Sequence, residues 1–227
     1  MEENSKYTAQ LVNVTKIYEG PGGGTVALKN ISIDASPGEM ILLLGPSGSG
    51  KTTFLTLLAG LQSPTSGKVY LFGKQTQDYS QRELQLIRAV RLGFIFQTFY
   101  LLDSLSVIQN VMMVKRFSGA GMKEARNVSM EYLVRFGVDK LSNMLPPKIS
   151  QGEKQRVAIA RALVNGAELI IADEPTGSLA SKQGMEIVDL LKRSSVDANR
   201  CVVIASHDER IVRYADRVLY LIDGELK

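Results

Sequence analysis

The sequence has a single cysteine, no long apolar run and no dense basic stretch, and each of these gaps excludes a class of protein. Cys201 alone cannot form an internal disulfide, and its place in the apolar run 201–205 predicts a buried, unreactive thiol. No segment approaches the roughly 18 consecutive apolar residues that a membrane span needs, and residues 1–6 are polar and lack a signal-peptide core. We therefore expect a cytosolic chain whose membrane role comes through a partner.

Basic residues are only slightly in excess, at 27 Lys and Arg against 23 Asp and Glu. They do not gather into runs with interleaved aromatic residues, so we expect no nucleic-acid partner. A net charge of +4 fits an anionic ligand, an anionic membrane surface or an ordinary solvated surface equally well. At 227 residues and 44% hydrophobic, the chain can form one large domain, or one core with an added lobe.

Short apolar runs alternate with amphipathic stretches, which predicts an α/β core. The predicted strands are Gln10–Val14, Val26–Ile33, Met40–Leu44, Lys68–Phe72, Leu92–Phe96, Leu169–Asp173, Cys201–Ser206 and Arg217–Ile222. The predicted helices are Lys51–Leu61, Gln81–Val90, Val107–Lys115, Lys123–Phe136, Glu153–Val164 and Lys182–Ser195. A short turn is predicted at 21–24, and residues from about 100 to 160 lack strand signals, which indicates an inserted helical lobe.

A phosphate-binding loop follows the third predicted strand and opens a helix, the context that this motif requires. It comprises Gly45, Pro46, Ser47, Gly48, Ser49, Gly50, Lys51 and Thr52. The glycines let backbone N–H groups turn towards phosphate oxygens, and the helix N-terminus adds positive potential there. We expect Lys51 to bridge the β- and γ-phosphates, the Thr52 hydroxyl to bind Mg²⁺ and Thr53 to contact the α-phosphate.

Two carboxylates end the apolar strand Leu169–Asp173. Asp173 is expected near the metal, since Mg²⁺ prefers hard oxygen ligands, held directly or through water. Glu174 is the candidate general base for an attacking water molecule, a role that contributes typically ~10²–10⁴-fold to a rate.

The segment Ile149–Leu163 lies just ahead of that strand, and it places a Ser-x-Gly turn at the start of an Arg-rich helix. This arrangement resembles the signature and Walker B region of ATP-binding cassette (ABC) ATPases. In that family the signature completes the nucleotide site of a second subunit. The resemblance therefore implies ATP as the ligand, hydrolysis as the reaction and a second copy of the chain as a partner, with Ser150, Gly152 and Glu153 contacting the partner's nucleotide.

Three further residues take their roles from the resemblance. His207, the only histidine, follows Cys201–Ser206 and matches the switch histidine that contacts γ-phosphate. Gln97 follows Leu92–Phe96 and matches the glutamine that touches Mg²⁺ and the attacking water. Tyr18 matches the aromatic residue that stacks on adenine, although a tyrosine near a strand end is also explained by packing.

Within the family, residues 26–32, 93–102 and 172–179 are similar to the group containing the macrolide-export (MacB), lipoprotein-release (LolD) and cell-division (FtsE) ATPases. Two segments depart from the family pattern. The signature usually reads Leu-Ser-Gly-Gly-Gln, whereas residues 149–153 read Ile-Ser-Gln-Gly-Glu, with Gln151 in place of a glycine. Ala180 stands where the loop after the second carboxylate usually has aspartate. We expect a working signature, because Gln151 still offers its backbone N–H, and a changed coupling between the two nucleotide sites.

The resemblance implies a P-loop core sheet with an N-terminal antiparallel β subdomain and an inserted helical subdomain. Residues 1–97 and 161–227 would form the core and 98–160 the helical part. The implied partner is a transmembrane permease of MacB, LolC or FtsX type, which would hold the chain at the cytoplasmic side of the inner or plasma membrane, docked through the region after Gln97 (Phe99, Tyr100, Leu101 and Leu102).

Two alternatives stay open at this stage. One is a soluble ABC protein that acts on DNA or ribosomes, although such proteins usually carry a coiled-coil insertion or two fused cassettes. The other is a regulatory module that binds ATP and barely hydrolyses it, which Ala180 favours and the intact Lys51, Asp173, Glu174 and His207 oppose.

Overall fold

The computed structural model describes residues 6–20, 23–177 and 179–227. Residues 1–5, Pro21 and Gly22 of the predicted turn, and Ser178 lie outside these ranges. Within the described residues, ten strands form two sheets, six α-helices pack around them, and no helix has the length and apolarity needed to cross a bilayer.

A six-stranded sheet forms the core, in the order β10-β9-β3-β8-β7-β6. Its five longer strands are parallel, and β10 pairs antiparallel with β9. The strands are β3 (Met40–Leu44), β6 (Leu92–Ile95), β7 (Leu169–Asp173), β8 (Cys201–Ser206), β9 (Arg217–Ile222) and β10 (Glu225–Leu226). Strands β3 and β8 are buried along their whole length, as continuous apolar runs in a parallel sheet predict.

A four-stranded antiparallel sheet, in the order β2-β1-β4-β5, packs beside the core. Its strands are β1 (Ala9–Tyr18), β2 (Thr25–Ala35), β4 (Ser66–Leu71) and β5 (Lys74–Gln75). Ala9, Leu11 and Val14 of β1 are buried. This sheet confirms the expected antiparallel β subdomain. The sequence did not predict β5 or β10, which are only two residues long and carry no periodicity.

All six predicted helices are present, with ends that differ from the predictions by a few residues. They are α1 (Lys51–Leu58), α2 (Gln81–Val90), α3 (Val107–Phe117), α4 (Met122–Arg135), α5 (Gln151–Leu163) and α6 (Ser181–Asp197). Helix α1 stops short of the predicted Leu61 because Gly60, at φ +63°, turns the chain out of the helix. No strand lies between residues 96 and 168, all of which are described, and the proposed boundary after residue 160 falls inside α5.

Alternate residues of the parallel strands face two apolar layers. Met40, Leu42 and Leu44 face the layer of α3 to α6, whereas Ile41 and Leu43 face α1 and the antiparallel sheet. Cys201 lies in the second layer, and burial raises the pKa of its thiol to about 12. The prediction of a buried cysteine is therefore confirmed, and a raised thiol pKa agrees with low reactivity.

Candidate nucleotide site

The carboxyl ends of three neighbouring parallel strands bring the predicted residues together. In the register of the sheet, Leu44 of β3 pairs with Ser206 of β8, and Ala205 of β8 pairs with Asp173 of β7. The loop that begins at Gly45, the carboxylates at the end of β7 and the histidine after β8 therefore share one edge of the sheet. Ligands of open α/β sheets bind at such edges.

The phosphate-binding loop has backbone geometry that only glycine permits at several positions. Gly48 and Gly50 have φ of +81° and +105°, and Gly50 is the N-cap of α1. A Cβ on Gly45 would lie 2.3 Å from the Leu221 carbonyl oxygen, and one on Gly50 would lie 2.4 Å from the Ala27 carbonyl oxygen. The backbone is thus wedged tightly between neighbouring strands.

The outer part of the loop is accessible to a ligand. Pro46, Ser47 and Gly48 are exposed, whereas Ser49 is buried. The Ser49 hydroxyl has no hydrogen-bond partner among the described residues. A buried hydroxyl without a hydrogen-bond partner is costly. The Ser49 hydroxyl therefore remains able to form a hydrogen bond that no described residue provides.

Lys51 is folded back into the loop. Its side chain is only 9% exposed. Its ammonium donates hydrogen bonds to the carbonyl oxygens of Gly45 (2.8 Å) and Pro46 (3.0 Å), and it lies 3.8 Å from Glu174 Oε1. The cation therefore occupies the centre of the site, between the loop and the second carboxylate of β7.

Thr52 and Asp173 form a pair of oxygen ligands beside the loop. The Thr52 hydroxyl donates to Asp173 Oδ2 at 2.8 Å. Burial raises the pKa of the Asp173 carboxyl, and the nearby negative charge of Glu174 raises it further. The hydrogen bond from Thr52 and the positive charge of Lys51 lower this pKa, but they only partly offset the increase. The Asp173 carboxylate and the Thr52 hydroxyl are hard oxygen ligands. The negative charge of Asp173 is only partly balanced by its neighbours, so a cation would be stabilised there. This pair of ligands therefore fits Mg²⁺.

Two side chains, Ser206 and His207, hold the Glu174 carboxylate, and the Glu174 backbone is strained. Its φ is +47°, which is uncommon for a residue with a side chain. Oε2 accepts a hydrogen bond from the Ser206 hydroxyl at 3.2 Å, and Oε1 lies 3.0 Å from His207 Nδ1. The Ser206 hydroxyl in turn accepts from the Asp208 N–H at 3.1 Å. The side chain of Glu174 is 14% exposed, whereas that of His207 is 66% exposed.

Gln97 lies at the edge of the site but forms no hydrogen bond with Thr52 or Asp173, the two candidate metal ligands. It is exposed, and a Cβ on Gly177 would lie 3.0 Å from Gln97 Nε2, so the amide rests against the loop that follows Glu174. Among the described residues, we find no hydrogen bond from the Gln97 side chain. Contact of Gln97 with Mg²⁺ or water stays a prediction.

Tyr18 lies beside the first turn of α1. Its hydroxyl donates to Gln62 Oε1 at 2.8 Å and lies 3.3 Å from Thr53 Oγ1, and the residue is 40% exposed. The Lys16 ammonium lies 5.2 Å from the ring centroid. The structure therefore brings Tyr18 and Thr53 to the phosphate-binding loop, with part of Tyr18 accessible to solvent.

The signature residues form a separate surface. Ser150 is the N-cap of α5: its hydroxyl donates to Glu153 Oε2 (2.8 Å) and accepts from the Glu153 N–H (3.4 Å), while the Ser150 N–H donates to the same carboxylate (2.7 Å). Gly152 is buried against Gln183, whose Oε1 would lie 3.3 Å from a Cβ at that position. In the ranges 6–20, 23–177 and 179–227, no hydrogen bond or ion pair joins the signature to the phosphate-binding loop. The predicted site residues thus fall into two groups that one chain does not bring together.

Two polar side chains of α5 that the sequence analysis missed, Gln155 (buried) and Arg161 (half-buried), fasten the helix that begins at the signature to backbone loops near the nucleotide site. Gln155 of α5 donates to the Pro175 carbonyl oxygen at 2.8 Å. Arg161 of α5 donates to the Phe99 carbonyl oxygen at 2.7 Å and to that of Tyr100, and burial lowers its pKa. One helix therefore holds both the loop after Glu174 and the loop after Gln97. The only sequence signal was a polar residue among the apolar positions of an amphipathic helix, and such a residue does not reveal its partner.

Comparisons with known proteins agree with this geometry. Residues 28–177 match the family model described as ABC transporter. The chain is 40% identical over 222 residues to the ABC transporter ATP-binding protein MJ0796 of Methanocaldococcus jannaschii, covering 96% of this chain and 94% of the relative. It is also 36% identical over 217 residues to the macrolide export ATP-binding/permease protein MacB of Burkholderia pseudomallei, but spans only 33% of that protein.

A solved dimeric structure of MJ0796 superimposes with a TM-score of 0.89 at 39% identity and covers 96% of both chains. A second dimeric structure of the same cassette, in a post-hydrolysis state bound to ADP and Pi, also gives 0.89 at 38% identity. These matches confirm the expected α/β cassette fold with two sheets. The chain belongs to the ATP-binding proteins of the ABC transporter family.

Proposed function

We propose that this ABC ATPase hydrolyses ATP in two composite sites, which form when two copies pair head to tail, and that the pair drives a transmembrane permease. One observation carries the proposal. The phosphate-binding loop, Asp173, Glu174 and His207 converge at one sheet edge, while Ser150 and Gly152 lie on a surface that does not reach them. A second copy would supply the missing signature. The solved structures of the MJ0796 cassette are dimeric, which supports the pairing of two copies.

Binding would begin with an exchange of partners at Lys51. Its ammonium is bonded to two backbone carbonyl oxygens, and phosphate oxygens are stronger, charged acceptors. The loop N–H groups and the N-terminus of α1 stabilise the same negative charge. Tyr18 would stack on the base, and Thr53 would contact the α-phosphate.

Thr52 and Asp173 would hold Mg²⁺, which offsets negative charge on the transferred phosphate. Gln97 is expected to complete this side of the site. Glu174 would orient a water molecule and accept its proton, since its carboxylate is positioned by Ser206 and His207. His207 remains accessible enough to contact the γ-phosphate as well.

The test is the dependence of turnover on chain concentration. If two copies form each site, the specific ATPase rate should rise with concentration until the dimer is saturated. Sizing in the presence of ATP should show association over the same range. If the specific rate is constant while the chain remains monomeric, the proposal is contradicted, and one copy must contain a complete site.

The loop after Gln97 is the proposed docking surface for the permease, at the cytoplasmic side of the membrane. Tyr100 and Leu102 are 65% and 45% exposed. Phe99 and Leu101 are half-buried, and Leu101 packs against the core, so these two offer less surface for docking than Tyr100 and Leu102. Arg161 holds the Tyr100 backbone, and buried Asn110 binds both the N–H and the carbonyl oxygen of Leu102 at 2.8 and 3.1 Å.

A fixed backbone with exposed apolar side chains suits docking, because little conformational entropy is lost on binding. The similarity to MacB and the group pattern of residues 93–102 favour a permease of MacB, LolC or FtsX type.

Tyr100→Asp should weaken copurification with the permease by about tenfold or more, because a charge would be buried at the contact. ATP binding by the isolated chain should stay unchanged. Leu86→Asp, at a similarly exposed position of α2 (60%), is the matched control. Full copurification of the folded Tyr100 variant would exclude this docking surface.

Ala180→Asp should have two measurable effects. Ala180 is the N-cap of α6 and makes no side-chain cap hydrogen bond, so aspartate should stabilise the chain by about 0.5–2 kcal/mol in a denaturant titration. The loop that contains Ala180 would face the second copy, so the turnover rate or its cooperativity in ATP should also change, more than ATP affinity does. If the variant is more stable but its kinetics are unaltered, Ala180 affects only the capping of α6 and not the coupling of the two sites.

A further inference from the structure

The short loop between the C-terminus of α3 and the N-terminus of α4 carries two of the most exposed large apolar side chains of the described residues. Phe117, the last residue of α3, is 72% exposed, and Met122, the first residue of α4, is 63% exposed. We name residues 117–122 the tip loop. Neither side chain has a role in the nucleotide site or at the proposed permease contact. Large apolar side chains exposed at both ends of one short loop are candidates for an interaction site.

The tip loop is anchored to the body of the lobe. Ala120 is buried, and its carbonyl oxygen accepts a hydrogen bond from Arg116 Nη1 at 2.7 Å. The Ser118 hydroxyl donates to Asn165 Oδ1 at 3.2 Å, and Asn165 Nδ2 donates to the Val114 carbonyl oxygen at 3.1 Å. Phe117 and Met122 are therefore exposed on a fixed frame, which reduces the conformational entropy lost on binding.

Positive charge surrounds the tip loop. Residues 115–126 contain four basic residues and one acidic residue, Glu124. Glu124 lies 3.7 Å from Lys115, which leaves three exposed cations, Arg116, Lys123 and Arg126. Within the described part of the chain, Lys123 and Arg126 form no ion pair. An apolar pair beside cations matches the chemistry of an anionic lipid surface, where the apolar groups enter the acyl boundary and the cations meet phosphates.

We propose that the tip loop inserts Phe117 and Met122 into the interface of an anionic bilayer while Arg116, Lys123 and Arg126 bind lipid headgroups. The inference rests on the proposed membrane function. A lipid surface fits better than a protein partner, since two side chains offer far less area than the roughly 1,000 Å² of a stable protein interface. Helix α3, about 16 Å long for its 11 residues, would connect this contact to the permease contact near its other end.

The test uses the purified full chain and vesicles without any permease. Flotation compares neutral phosphatidylcholine vesicles with vesicles that also contain phosphatidylglycerol, at low and high salt. The chain should bind the anionic vesicles, and binding should weaken with salt. Phe117→Ser with Met122→Ser should lower the partition coefficient by about tenfold, as should Lys123→Glu with Arg126→Glu. Val196→Ser, at an exposed apolar position of α6 (64%), should bind like the parent chain.

Absence of binding to anionic vesicles, or equal binding by the parent and both tip variants, would overturn the proposal. Loss of permease copurification by the tip variants without vesicle binding by the parent would also overturn it, in favour of a protein contact. ATP turnover is measured on the same preparations. Turnover without vesicle binding contradicts the tip proposal alone, and vesicle binding without turnover contradicts the proposed ATPase mechanism alone.

Discussion

Replacing Glu174 by glutamine should slow ATP hydrolysis by about 10²–10⁴-fold while ATP binding is retained. The amide has nearly the same shape, and its oxygen can still accept from Ser206 or His207, which contact the carboxylate at 3.2 and 3.0 Å. It cannot accept a proton from water at neutral pH. Loss of the charge also removes repulsion with the γ-phosphate, so two copies should remain associated around bound ATP.

Single-turnover hydrolysis and sizing with Mg²⁺ and ATP measure both effects. Glu131→Gln, the same change at an exposed position of α4, should behave like the parent chain. Near-normal turnover by the Glu174 variant would show that another group accepts the proton. A variant that neither binds ATP nor associates would instead point to a structural role for the carboxylate beside Lys51.

Replacing Lys51 by alanine should lower ATP affinity by about a hundredfold or more. Lys51 is the only side-chain cation in the phosphate-binding loop, and charge-assisted hydrogen bonds contribute about 1.5–3 kcal/mol each. The substitution also leaves the carbonyl oxygens of Gly45 and Pro46 without their donor and Glu174 without a nearby cation. Equilibrium binding of a fluorescent ATP analogue provides the measurement.

A denaturant titration of the same variant separates lost affinity from lost structure. Lys68→Ala, at an exposed position of β4, removes a lysine of equal charge outside the loop and should leave affinity unchanged. If the folded Lys51 variant binds ATP as tightly as the parent chain, the phosphate site has been assigned to the wrong loop.

The sequence was most informative where an apolar run ends abruptly in a polar group. Strands β3, β7 and β8 match the predicted ranges because buried parallel strands need continuous apolar residues, and Gly45, Glu174 and His207 follow them directly. Parallel strands end at the same edge, so the place of these motifs at strand ends favoured a shared site, and the family resemblance assigned His207 to it. The start of α5 was predicted two residues late, at Glu153, because the capping box that Ser150 and Glu153 form was not recognised in the sequence.

Contacts between distant buried polar groups could not be predicted. Ser206 was assigned to a strand, and only the parallel register brings its hydroxyl to Glu174. The attachment of Arg161 to the loop after Gln97 spans about sixty residues and involves backbone carbonyls, which leave no pattern in the sequence. Leu101 was grouped with its exposed neighbours because buried and exposed residues do not alternate regularly in a loop, so the sequence does not show which of them pack inward.

A mixing experiment tests most directly whether two chains share each nucleotide site. In chains that all carry Glu174→Gln, one variant adds Lys51→Ala and a differently tagged variant adds Ser150→Arg. The account predicts that neither variant associates with itself on addition of ATP. The mixture should form mixed pairs that retain ATP, because the intact loop of one copy meets the intact signature of the other. No association in the mixture, or ATP-driven association of the Ser150 variant with itself, would contradict a site built from two copies.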